Sequence, residues 1–170
     1  MTTKKIAIYP GTFDPITLGH VNIVKKAAQM FDEVVMAIAK DNYKDSFFTL
    51  EERATLCKEA LADIPNARAE VFEGLVVNFA KKLGTNIMIR GLRAVSDFEY
   101  ELQLALMNKK LNQDIETIFL VPRFEFLYLS SSMVRNIAAV NGDVTTLVPA
   151  CVVEALQRKN NERGADESNN

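Results

Sequence analysis

The chain has 170 residues, nearly half of them apolar, which is enough for one domain with a sizeable core. A quarter of the residues are charged and they nearly cancel, to a formal net charge of −2, so bulk electrostatics gives no reason to expect nucleic acid or an anionic membrane as a partner. Cys57 and Cys151 are the two cysteines, far apart and with no histidine at metal-ligand spacing, which argues against a disulfide framework or a zinc site and for two buried thiols.

Lys4 and Lys5 precede an apolar run that stops at Pro10-Gly11, too short for a signal peptide or a membrane span, so the expected location is the cytoplasm. Runs rich in β-branched and aliphatic residues then alternate with longer segments of helical period, the pattern of a parallel sheet with crossover helices. The predicted strands are residues 5–9, 33–39, 69–72, 86–90 and 117–121, nearly continuous apolar runs of the kind buried on both faces.

Tyr9-Pro10-Gly11-Thr12-Phe13-Asp14-Pro15-Ile16-Thr17-Leu18-Gly19-His20 joins the first strand to the first helix. Ligands of open parallel sheets bind beyond the carboxyl ends of strands, where the N–H groups that open the next helix attract anions. Gly11 and Gly19 allow close backbone approach to a phosphate, and Thr12 and Thr17 offer hydroxyls. The loop lacks both G-x-G-x-x-G and Gly-Lys-Ser/Thr, which disfavours a redox dinucleotide and a kinase-type loop. His20 is the only histidine; in a first helical turn the dipole disfavours imidazolium, which suits a neutral ring donating to a phosphate oxygen.

Lys44 follows the second strand and could add a charge at the same edge. Thr49 with Glu52 makes a capping box, after which Leu50, Ala54, Cys57 and Leu61 share one helix face. Ile89-Arg90-Gly91-Leu92-Arg93 closes the fourth strand with two arginines able to point into one cleft, where planar guanidinium groups suit phosphate, and Glu101 follows on the next helix. In that helix, residues 97–111, Phe98, Leu102, Ala105 and Leu106 form one apolar stripe and Tyr100, Leu104, Met107 and Leu111 another. Two apolar faces need cover, and a homo-oligomer is the expected source. Leu129-Ser130-Ser131-Ser132-Met133-Val134-Arg135 then opens a helix with caps, hydroxyls and a charge, Pro149 suits a first helical position, and residues 159–170 read as a polar, disordered tail after a domain of residues 1–158.

The run from Pro10 to His20, the block from Ile89 to Glu101 and the block from Leu129 to Arg135 together resemble the bacterial phosphopantetheine adenylyltransferase family. Its superfamily is marked by a histidine-x-glycine-histidine signature or a threonine-first variant, here Thr17-Leu18-Gly19-His20. The match runs from about Ile6 to about Leu156; Leu18 stands where asparagine is common, Arg135 where lysine is common, and the Lys44 loop reads Tyr43-Lys44-Asp45 rather than a lysine pair.

The resemblance implies a Rossmann-like α/β domain with a five-stranded parallel sheet flanked by helices. It implies transfer of the adenylyl group of ATP to 4′-phosphopantetheine, giving dephospho-coenzyme A and pyrophosphate. Thr12 would touch both substrates, with His20, Lys44 and Arg93 beside the reacting phosphates. Phe13, His20, Gly91, Leu92, Arg93, Glu101, Phe126, Leu127, Tyr128, Leu129, Ser130, Ser131 and Ser132 would line the ATP pocket, and Lys44, Val76 and Arg90 would face 4′-phosphopantetheine. Magnesium would arrive with the ATP, and the oligomer would be a hexamer. Competing expectations are adenylation of nicotinamide mononucleotide, CTP-dependent cytidylyl transfer to a phospho-alcohol, and a nucleotide-binding module without turnover.

Overall fold

The computed structural model describes residues 4–40 and 46–167, with backbone alone at 95, 96 and 163–167. Five strands, β1 (Ile6–Gly11), β2 (Glu33–Ala39), β3 (Ala67–Phe72), β4 (Ile87–Gly91) and β5 (Glu116–Leu120), form one parallel sheet in the order β3-β2-β1-β4-β5. The helices are α1 (Leu18–Ala28), α2 (Leu50–Ala60), α3 (Val76–Lys82), α4 (Val95–Leu111), α5 (Ser131–Ala139) and α6 (Ala150–Glu167).

Alternation along β1 and β2 divides the core between the two sheet faces. Ala7, Tyr9, Val34, Met36 and Ile38 face a cluster completed by Val24 of α1, Cys57 of α2, Val134 of α5 and Val152 of α6. Ile8, Val35, Ala37 and Met88 pack instead with Val77, Phe79 and Ala80 of α3. β3 is an edge strand, and its polar residues Arg68 and Glu70 join Glu33 in an ion-pair chain.

The expected caps are present, since Thr49 N–H donates to Glu52 Oε2 at 2.8 Å while Glu52 N–H donates to Thr49 Oγ1 at 3.2 Å. Pro149 sits one position before the expected one, and its carbonyl accepts from Val152 and Val153 to open α6. Cys57 is fully buried, and burial pushes its thiol up to about 12; Cys151 is half-buried rather than buried because α6 turns it toward the groove beside α2, with Sγ 3.9 Å from Leu56 O. α6 also runs on to Glu167 where a disordered tail was expected from residue 159. Its continuation is anchored: Lys159 pairs with Glu52 at 3.0 Å and lies over the Phe48 ring, and Asn160 Nδ2 donates to Ala138 O at 2.6 Å.

Helix α4 packs beside α3 on the β4–β5 half of the sheet. Phe98 meets Phe119 edge to face at 6.1 Å, and Asn108 Nδ2 lies 3.6 Å from Met88 Sδ. The helix turns Glu101, Leu104, Ala105 and Asn108 inward, leaving Phe98, Leu102 and Leu106 exposed on one flank and Tyr100, Met107 and Leu111 on the other.

Candidate active site

The sheet order reverses between β1 and β4, and the cleft of such sheets opens beyond the carboxyl ends of the strands at that point. A cleft of about 600 Å³ lies there, walled by the loops after β1, β4 and β5. It brings together Thr12, Phe13 and, from the first turn of α1, His20; Arg90, Gly91 and Arg93 at the end of β4 with Glu101 of α4; and Phe126, Leu129, Ser130, Ser131 and Ser132 from the segment after β5.

His20 is the third residue of α1 and completes an unusual capping box in which its ring takes the place of the customary glutamate. Thr17 N–H donates to His20 Nδ1 at 3.0 Å, and His20 N–H donates to Thr17 Oγ1 at 3.4 Å. A backbone N–H can only donate, so Nδ1 is unprotonated and the neutral ring carries its proton on Nε2. Burial, then the charges of Arg93 and Arg90, push the imidazolium pKa down to about 4. The ring is thus a neutral N–H donor at physiological pH, as the first-turn position suggested.

The loop before it is held on several sides. Phe13 adopts φ 51°, a left-handed conformation that costs a side-chain-bearing residue about 1–3 kcal/mol. Its ring is seated edge to face on Tyr9 at 5.4 Å and on His20 at 5.1 Å. Gly11 makes room for that ring, since a Cβ there would stand 2.9 Å from Phe13 Cζ; this close approach is to protein rather than to phosphate. At Gly19 a Cβ would meet nothing closer than 3.5 Å, so packing within the chain leaves this cleft-facing glycine unexplained. The Asp14 carboxylate accepts from Phe47 N–H at 2.7 Å and Phe48 N–H at 2.8 Å, Ser131 Oγ donates to Pro15 O at 2.7 Å, and Arg135 Nη1 donates to Asp14 O. Below the loop, Arg53 Nη1 donates to Thr12 O at 2.7 Å and to Ala39 O at 3.0 Å.

The two arginines expected to point into the cleft do line it, but each is already engaged. Arg90 grips both oxygens of Glu101, Nε to Oε2 at 2.5 Å and Nη2 to Oε1 at 2.7 Å, and Nη1 donates to Pro10 O at 2.8 Å. Burial opposes the Arg90 charge and Glu101 outweighs it, so the pKa is raised. Arg93 bridges two loops, with Nη1 donating to Leu129 O at 2.7 Å and Nε to Asp97 at 3.2 Å. Ser130 caps α5 by accepting from Met133 N–H at 3.1 Å, and its Oγ lies 3.1 Å from Ser132 Oγ. The first amides of that helix have no intrahelical acceptor, so α1 and α5 both aim N-termini at the cleft.

Lys44 falls outside the described residues, and some other anticipated residues lie away from the cleft wall. Leu92 is tied by its N–H to Leu120 O at 2.9 Å and is not in the cleft wall. After a 3-10 turn at Phe124–Phe126 the chain swings outward, so Leu127 is absent from the wall and Tyr128 is 61% exposed. Val76 begins α3 and packs against the cluster on the other sheet face. Functional residues that the sequence did not single out include Asp97 and Arg53. Arg53 did carry a signal, because it lies four residues before Cys57, beside the apolar face of α2.

Among the described residues no group of three or more His, Cys, Asp or Glu side chains could hold a metal ion. The carboxylates at the cleft are committed, Asp14 to the Phe47 and Phe48 amides, Glu101 to Arg90 and Asp97 to Arg93.

Residues 8–137 match the model of the cytidylyltransferase-like family. The chain is 52% identical over 155 residues to a phosphopantetheine adenylyltransferase of Desulfitobacterium hafniense, covering 91% of this chain and 95% of that one. It is 45% identical over 162 residues to a phosphopantetheine adenylyltransferase of Lachnoclostridium phytofermentans, covering 95% and 99%. Among solved structures, a putative nicotinate-nucleotide adenylyltransferase from Vibrio parahaemolyticus superposes with a TM-score of 0.71 at 18% identity, covering 92% of this chain and 93% of that one, a likeness of fold. With its three motif blocks meeting at one cleft and identities of this size over nearly the whole chain, the protein belongs to the phosphopantetheine adenylyltransferase family, within the cytidylyltransferase-like group.

Proposed function

We propose that the chain transfers the adenylyl group of ATP to 4′-phosphopantetheine, releasing pyrophosphate and forming dephospho-coenzyme A. The observation that carries this reading is the neutral Nε2–H donor of His20 in a cleft faced by two helix N-termini and two arginines. The acceptor is a phosphate monoester whose second pKa is about 6, so near neutral pH it is a dianionic nucleophile that needs no general base. A new bond forms from its oxygen to the α-phosphorus, the bond from that phosphorus to the β-bridging oxygen breaks, and pyrophosphate leaves with the electron pair.

The protein's part is positioning and charge stabilisation. His20 Nε2–H donates to the α-phosphate as charge builds there. Arg93 and the first amides of α5 hold the leaving phosphates. Arg90, already fixed by Glu101 and Pro10, contributes charge more than free donors toward the acceptor. Thr12 reaches both substrates, and Lys44 would add to the same phosphates. Magnesium enters as part of the substrate, MgATP, because the cleft carboxylates are engaged elsewhere.

The exposed flanks of α4 support a homo-oligomer, with a hexamer as the arrangement the family resemblance suggests. No helix among the described residues is long and apolar enough to cross a membrane, and we place the enzyme in the cytoplasm. A pyrophosphate-release assay tests the reaction: ATP with 4′-phosphopantetheine should turn over faster than ATP with nicotinamide mononucleotide or CTP with glycerol 3-phosphate. Faster turnover of either alternative would replace the substrate assignment, and no turnover with any pair would favour a binding module.

A further inference from the structure

We propose that Arg53 is a positioning residue for the transfer, a buried cation that staples the Thr12 loop to the end of β2 and so holds the cleft's first wall in its reactive geometry. The inference rests on the adenylyl-transfer reading above. β1 and β2 pair in register as far as Gly11 and Ile38, and one residue later the two strands part. Thr12 goes into the cleft-lining loop, while Ala39 ends β2. Arg53 Nη1 reaches the carbonyls of both, Thr12 at 2.7 Å and Ala39 at 3.0 Å, at the point of divergence.

The residue type is costly for folding alone. Arg53 is 2% exposed, makes no ion pair with a carboxylate among the described residues, and its Nε is buried without a hydrogen-bond partner. An apolar side chain of similar length beside this helix face would pack with no charge to desolvate, but it would leave the Thr12 and Ala39 carbonyls without this donor. Two strand-end carbonyls held by one nitrogen are what arginine supplies and an apolar residue does not. Thr12 is contiguous with Phe13, whose ring seats on His20, so a shift of the Thr12 carbonyl is passed to the donor at the reacting phosphate.

The test measures kcat, KM for ATP and melting for wild type, Arg53→Met and Arg53→Lys. Arg53→Met should fold, keep KM for ATP close to wild type and lose kcat by roughly 10- to 100-fold, the scale of an ångström-sized misplacement. Arg53→Lys keeps the charge and can bond one carbonyl, so it should fold and recover part of that loss. Wild-type kcat in folded Arg53→Met overturns the proposal, as does a loss confined to melting temperature or to KM for ATP. Should Arg53→Met not fold, Arg53→Lys decides alone: reduced kcat at saturating substrates supports the staple, and wild-type kcat overturns it. An inactive wild type would refute the adenylyl-transfer reading, whereas an active wild type with unaffected variants would refute only the role of Arg53.

Discussion

Thr17 and His20 cap each other: the backbone N–H of the first donates to Nδ1 of the second at 3.0 Å, and the hydroxyl of the first accepts from the backbone of the second at 3.4 Å. One local motif therefore starts the helix, orients the ring and selects the tautomer that carries its proton on Nε2. The consequences can be measured.

Because the chain has one histidine, its imidazole nitrogens give one set of resonances. We expect the Nε2–H tautomer throughout the neutral range and a titration near pH 4, set by burial first and by Arg93 and Arg90 after it. The folded pKa lies below the unfolded value of about 6.5, so the contribution to stability is present in full above that pH. It erodes as pH falls from there toward 4. Titration above 6, or a ring protonated at Nδ1, would contradict the capping geometry.

Glu101 holds Arg90 with both carboxylate oxygens, and neither side chain is far from burial. Glu101→Ala should cost about 2 kcal/mol in denaturant unfolding, the scale of a charge-assisted hydrogen-bonded pair losing one partner. In a double-mutant cycle with Arg90→Ala the two effects should be strongly non-additive. Additive losses would mean that the pair is not coupled in solution.

Gly11 at the end of β1 and Gly19 in the first turn of α1 should respond in opposite ways. Gly11→Ala places a methyl 2.9 Å from the Phe13 ring and should destabilise by about 1–3 kcal/mol, with turnover falling as the ring is displaced from His20. Gly19→Ala meets only ordinary contacts and lies within α1, so it should leave stability equal or raised by up to about 1 kcal/mol while KM for ATP rises. Parallel behaviour in melts and ATP titrations would refute the distinction.

The sheet was legible from the sequence because strands covered on both faces must be apolar throughout; β2 coincides with the expected residues 33–39. β1 runs on to Gly11 despite Pro10, and edge strand β3 starts two residues early at Ala67, where exposed Arg68 interrupts the apolar run. The three cleft loops were legible because glycine, serine and arginine after strands carry a local chemistry. The Arg90–Glu101 grip and the Arg53 staple were not, since both depend on where separate elements meet in space. A polar tail was expected from Lys159 because the composition turns hydrophilic, yet Lys159 and Asn160 find Glu52 and Ala138 across the fold.

Phe98, Leu102 and Leu106 on one flank of α4, and Tyr100, Met107 and Leu111 on the other, are all exposed in the single chain. We expect light scattering after size exclusion to report an oligomer, with Leu106→Glu shifting it toward smaller species. A stable wild-type monomer at micromolar concentration would refute the interface.

The catalytic account is tested most directly by kcat and the ATP dissociation constant of wild type and His20→Ala across pH, with a melt to control for folding. If Nε2–H stabilises charge mainly in the transition state, His20→Ala lowers kcat by about two to three powers of ten, the effect of removing one oxyanion-type donor, while ATP binding weakens far less. The pH dependence that remains follows the acceptor phosphate near about pH 6 in both proteins, because the histidine is neutral across that range. Near-normal turnover in a folded His20→Ala, or a wild-type fall in kcat below neutral pH that the variant lacks, would contradict the account.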